Sequence, residues 1–161
     1  MTNQDQKYAL VTELARAKSE QNIEAATAIY HPNAEMSAPS FGSVAKGSTE
    51  IAQQLSVFFS LFPDYEIVLE QYAINENVML ATGQASITLT GSAKTCPRIQ
   101  VPVFIEFHFH ENRISKEVFY LDAGLICRKS GVNPEEFFGA MRTVQTRKRS
   151  TDKKDIGEID S

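Results

Sequence analysis

The chain has 161 residues, 42% of them hydrophobic and 22% charged, with a net charge of −4. That apolar share excludes a wholly disordered chain, and the length suits one domain with its own core. No window approaches the roughly 18 uninterrupted apolar residues of a membrane-spanning helix, and Met1–Tyr8 lacks the apolar core of an export signal.

Residues 5–30 read as two consecutive helices. Tyr8, Val11, Leu14 and Ala15 share one face, and Ile23, Ala26, Ala28 and Ile29 continue the pattern after a break at Ser19–Asn22. Ser19 and Asn22 both suit an N-cap, and Pro32 stops the second helix. Ala34–Ala38 predicts a short strand, followed by a loop over Pro39–Gly47. Ser48 is expected to cap the clearest helix, in which Ile51, Leu55, Phe58, Phe59 and Phe62 form one apolar stripe. Pro63-Asp64 ends it.

The period then changes from helical to alternating. Tyr65–Ile74, Val78–Thr90, Val101–His110 and Ile114–Asp122 predict four strands, with short turns at Asn75–Asn77 and Glu111–Arg113. Gly124–Lys129 adds a turn of helix, and Pro134–Thr143 a short one carrying Phe137, Phe138 and Met141. Helices first and antiparallel strands second is the α+β order. A curved sheet with helices on one face encloses a hollow suited to a small hydrophobic ligand. The domain is expected to span 1–144, and the charged tail 145–161 to be disordered, having only Ile156 and Ile159 as large apolar groups.

Charge and cysteine content narrow the partners. Residues 142–161 hold six basic groups against four acidic, so the remaining body is more acidic than the whole. An acidic surface is poorly suited to displacing counterions from phosphates, and no nucleic-acid partner is expected. Cys96 and Cys127 make neither a disulfide framework nor a metal knuckle, and read as reduced thiols of a cytoplasmic protein.

Several segments then match a known family. Asn22-Ile23-Glu24-Ala25, Phe41-Gly42, Lys46-Gly47-Ser48-Thr49-Glu50-Ile51 and Leu61-Phe62-Pro63-Asp64-Tyr65 resemble the SnoaL-like polyketide cyclases. So do Glu111-Asn112-Arg113-Ile114, Tyr120-Leu121-Asp122 and Gly131-Val132, so that the resemblance covers about residues 8–132. It implies the nuclear-transport-factor-2-like cone fold shared with ketosteroid isomerases: a curved antiparallel sheet covered by three N-terminal helices. It also implies a cofactor-free mechanism, with Asp122 as general acid/base and His108 assisting. Two steroid-isomerase positions differ. Ala38 stands before Pro39 where those enzymes carry Asp, and Ala15 stands where they carry the oxyanion-hole Tyr, so that route is not expected. Arg128-Lys129-Ser130 also replaces the family's Gln.

The candidate site follows from strand alternation. Val118, Tyr120 and Asp122 share a face, and Tyr120, Val118, Phe58 and Phe62 are the expected substrate-binding residues beside the catalytic Asp122 and His108. Glu106, His108 and His110 lie on one strand face, but neighbours there are about 6.6 Å apart, and no metal is expected. Register decides which face meets Asp122. A two-residue turn at Glu111-Asn112 puts the histidines behind the sheet, whereas a three-residue loop puts them on the Asp122 face. The apolar surface of Val78–Leu89 and Val101–Phe109 exceeds what one helical layer covers, which predicts a homodimer through the sheet. The reading is an acid/base enzyme, of cyclase or isomerase type, acting on a small carbonyl compound. The alternative is a binding or dimerisation module that keeps the pocket without the chemistry.

Overall fold

Six strands form one sheet in the spatial order β2-β1-β6-β5-β4-β3, in a computed structural model that describes residues 1–157. In chain order they are β1 (Tyr30–Ala38), β2 (Ser43–Lys46), β3 (Glu66–Asn75), β4 (Val78–Thr88), β5 (Arg98–His110) and β6 (Arg113–Leu121). Helices α1 (Asn3–Ser19), α2 (Ile23–Ile29) and α3 (Gly47–Leu61) cover one face, and α4 (Ala123–Ser130) and α5 (Pro134–Gly157) follow the sheet. Four of the five strand pairings are antiparallel; β1 runs parallel to β6.

Local chemistry accounts for the helix ends. Thr2 and Asp5 make a reciprocal capping box at the start of α1. Asn22 Oδ1 accepts from the Ala25 N–H at 3.0 Å, capping α2. Ser48 lies inside α3 rather than before it: Lys46 is the N-cap, and its N–H donates to the Glu50 carboxylate at 2.7 Å. That carboxylate replaces the expected hydroxyl. Ile51, Leu55 and Phe59 of α3 are buried against the sheet, each contributing about 1.5–3 kcal/mol.

The Phe-Pro-Asp segment is a structural clamp. Asp64 accepts from the Thr88 N–H at 2.8 Å and hydroxyl at 2.6 Å, and from Arg98 Nη1 at 2.6 Å. Burial pushes its carboxyl up, but these hydrogen bonds and the Arg98 charge outweigh it and hold the group below its ordinary range. A second clamp joins the start of α1 to the β3–β4 turn. Lys7 donates to the Glu76 carbonyl at 2.5 Å and to Asn77 Oδ1 at 3.0 Å, its Nζ 5.7 Å from the centre of the Phe109 ring.

The β5–β6 hairpin closes with a two-residue turn, His110 opposite Arg113, and Glu111 and Asn112 both take positive φ. His108 and His110 therefore point away from the helices. A bulge follows at once: Phe109 faces Ile114, but His108 faces Lys116. The extra residue, Ser115, shifts every later residue of β6 to the opposite face. Glu117, Phe119 and Leu121 consequently face inward opposite Phe107, Ile105 and Val103, and Val118 and Tyr120 face outward opposite Glu106 and Phe104.

The C-terminus departs most from the sequence reading. Phe137, Ala140, Met141 and Val144 bury one face of α5. The helix then runs on through most of the segment expected to be disordered, since propagation adds one hydrogen bond per residue fixed once a packed start exists. The remainder of that expectation, 158–161, lies outside the described residues.

Candidate functional site

Among the described residues Glu117 is the buried carboxylate, with 1% of its surface exposed. The bulge at Ser115 turns it inward. Its Oε1 accepts from Lys18 Nζ at 2.7 Å, and its Oε2 accepts from the Tyr30 hydroxyl. Lys18 arrives from the last turn of α1 and is itself mostly buried. A charge in this position requires a partner, because desolvation costs several kcal/mol per isolated ion. Lys18 and Tyr30 between them occupy both oxygens.

Beside this trio lies a cavity of about 40 Å³ between α3, β1 and β6. Met36, Ala38, Phe41, Leu55, Phe58 and Phe119 give it an apolar wall, and Lys18, Glu117, Tyr65, Gln54, Ser37 and Ser43 supply polar groups. A void of about 10 Å³ on the other side of the ion pair shares Lys18, Tyr65, Glu117 and Phe119. A cavity of about 150 Å³ takes benzene and a single water needs at least about 10–15 Å³. The site as shaped therefore fits only a few heavy atoms.

The two tyrosines differ in what they have left to offer. Burial, then the Glu117 charge beside it, pushes the Tyr30 phenol well above its usual range, and its hydroxyl is committed to Glu117. Burial and Glu117 likewise push Tyr65 upward, so both stay neutral donors at physiological pH. The Tyr65 hydroxyl has no hydrogen-bond partner among the described residues, and its side chain lines both cavities. It is a free donor beside Glu117.

Most residues singled out from sequence lie elsewhere. Asp122 is exposed, sits one residue past β6, and caps α4 by accepting from the Leu125 N–H at 2.9 Å. Its expected place inside the hollow is corrected: the shifted register gives that place to the inward row ending at Leu121. His108 is on the outer face, 2.5 Å from Glu106, and cannot assist a group inside. Tyr120 is 41% exposed there beside Phe104, and Val118 is buried in the same outer row, so neither lines the cavity. Phe58 does line it. Phe62 is fully buried, 5.1 Å from Phe58 between ring centres, and supports the wall from behind.

Sequence reasoning did not single out Glu117, Lys18, Tyr30 or Tyr65. The usable signal was a carboxylate directly before the apolar run Val118–Leu121. Strict alternation assigned it to the wrong face.

One further polar cluster joins β1 to the β5–β6 turn: His31, His110 and Glu111 offer nitrogen and oxygen atoms within 4.8 Å of one another. The Asn33 N–H donates to His31 Nδ1 at 3.1 Å, so the neutral ring carries its proton on Nε2, which faces Glu111 at 3.6 Å. That arrangement suits a hydrogen bond to the carboxylate and leaves Nε2 without a lone pair for a metal.

The SnoaL-like domain family matches residues 11–117, two-thirds of the chain and ending on the buried glutamate. The chain belongs to the SnoaL-like domain family. Solved structures agree on the architecture, a ketosteroid-isomerase-like fold. A Catenulispora acidiphila hypothetical protein of ketosteroid-isomerase-like fold, in complex with trimethylamine, superposes with a TM-score of 0.71 at 13% identity, covering 77% of this chain and 93% of its own. A Jannaschia protein described as a SnoaL-like polyketide cyclase gives 0.70 at 14%, covering 81% and 94%. An LEH-like epoxide hydrolase from M. tuberculosis gives 0.61 at 13%, covering 88% and 93%. These identities establish the fold and nothing finer. No curated protein matches the chain in sequence. No helix among the described residues of this SnoaL-like chain is long and apolar enough to cross a membrane.

Proposed function

We propose that this SnoaL-like protein is an acid/base enzyme acting on a small, mostly apolar carbonyl compound, with Glu117 in the role first assigned to Asp122. The observation that carries the reading is a buried carboxylate at the wall of a mostly apolar cavity, beside a tyrosine hydroxyl with no hydrogen-bond partner among the described residues. Removing a proton next to a carbonyl needs a base held close and dry, and a donor where the enolate oxygen develops. Glu117 takes the proton, and Tyr65 donates to the oxygen. Lys18 keeps the carboxylate positioned and balances its charge.

The test is exchange of the protons next to the carbonyl of small ketones and aldehydes in deuterated water, followed by NMR. Wild type accelerates exchange, and Glu117→Gln loses at least about 100-fold, the scale of a positioned acid/base group. Equal rates for the two proteins refute the reading. A second reading, a non-catalytic ligand-binding module, draws support from Glu117 having both oxygens already occupied. Binding without exchange would establish it.

The reading extends to setting and assembly. Cys96 and Cys127 are unpaired and buried, which supports a reducing, cytoplasmic compartment. Val44, Leu80, Phe104 and Tyr120 are 40–59% exposed, and the last three lie on adjacent strands of the outer sheet face; a second copy of the chain is the proposed cover. Light scattering that gives only monomer removes this part of the proposal.

A further inference from the structure

We infer that Lys18 is a nucleophile that forms an imine with small aldehydes or ketones entering the cavity. The inference rests on the reading of this pocket as a carbonyl site, and it goes beyond the positioning role given to Lys18 above. Three observations carry it. The Lys18 side chain lines the cavity and the smaller void, on the side where a ligand would sit. Its one hydrogen bond among the described residues uses a single N–H of three. The acceptor of that bond is a buried carboxylate 2.7 Å away, already placed to take the proton that an ammonium must lose before it can attack.

The step balances without any other reactant. The Lys18 ammonium gives one proton to Glu117, and the free amine adds to the carbonyl carbon. A C–N bond forms as the π pair moves to oxygen, where the Tyr65 hydroxyl meets it. That oxygen gains a proton from the nitrogen, relayed through Tyr65, giving a neutral carbinolamine. Glu117 returns its proton to the hydroxyl, the C–O bond breaks, and water leaves as the nitrogen lone pair closes the C=N bond. The product is a protonated imine beside an ionised Glu117. Charge in the pocket is the same before and after, and nothing is oxidised or reduced. The positive nitrogen then draws electrons from the neighbouring C–H bond, which lets Glu117 act as a base on the same substrate. The roughly 40 Å³ cavity sets the class: carbonyl compounds of a few heavy atoms, not multi-ring ones.

The experiment treats the whole chain with acetaldehyde or acetone, reduces with borohydride, and maps the adduct by peptide mass spectrometry. The expected result is labelling of Lys18 at least tenfold above that of the exposed lysines, despite its burial, and slower labelling in Glu117→Gln. Labelling that follows exposure across the lysines, with Lys18 among the least modified, overturns the inference on the wild-type protein alone. Lys18→Arg, with its fold checked by circular dichroism, then separates the two proposals. Proton exchange that needs Glu117 but persists in Lys18→Arg sinks the imine and leaves acid/base chemistry standing. Trapping at Lys18 with no exchange in wild type supports the imine and sinks the general-base reading.

Discussion

Two pairings of a basic side chain with a carboxylate stand on opposite faces of the same sheet, and their difference locates the chemistry. Lys18 and Glu117 meet on the inner face, almost without water. His108 and Glu106 meet on the outer face at a similarly short distance, with about a third of each side chain exposed. The residue types invite the opposite conclusion, since histidine beside a carboxylate is the more familiar catalytic pairing. Burial decides otherwise: an exposed pair exchanges its partners for water at small cost, whereas the inner pair is held to one arrangement by the absence of any substitute.

The largest expected effect comes from unbalancing the inner pair. Lys18→Met leaves Glu117 buried without its cation and lowers stability by about 3–5 kcal/mol in urea unfolding. Adding Glu117→Gln, which keeps a partner for Tyr30, recovers most of that loss; failure to recover would mean that packing, not charge, dominates there. Asp122→Ala comes next. As loss of an N-cap it costs about 1 kcal/mol, and it leaves proton exchange on ketones unchanged. A large fall in exchange with stability intact would return Asp122 to the mechanism. On the outer face, Glu106→Gln changes stability by less than about 1 kcal/mol by the same unfolding measurement.

Asp64 is as exposed as the outer pair yet holds three hydrogen bonds. Its folded pKa is depressed, so its contribution is fully present above its unfolded value, about pH 4, and declines as pH falls through the folded one. The wild-type stability profile should slope downward below about pH 4, and Arg98→Gln should flatten part of that slope. Identical profiles would show that Asp64 does not discriminate folded from unfolded chain.

The fold was legible in the sequence for reasons that the inner face makes plain. Ile51, Leu55 and Phe59 repeat at helical spacing because one side of α3 is buried, and β4 and β5 alternate because one side of each is. The candidate site depended on something periodicity does not report. Both turn lengths considered for Glu111–Arg113 assumed unbroken pairing afterwards, whereas the structure has the two-residue turn and then one unpaired residue. Ser115 has no special signature among its neighbours. The bulge reversed the faces of Glu117 and Tyr120 and left Asp122 outside. Lys18 was hidden differently: a lysine near a helix end reads as a favourable charge for the helix dipole, and only the distant strand across from it gives it another purpose.

Helix α1 is fastened at both ends, by Lys7 to the β3–β4 turn and by Lys18 to β6. That wall cannot swing aside without breaking one fastening or the other. On the opposite rim the single turn Pro39–Phe41 places an aromatic ring against Phe58 and Phe137. Phe41 also lines the hollow, so shortening it enlarges the space from that side and leaves α1 fastened.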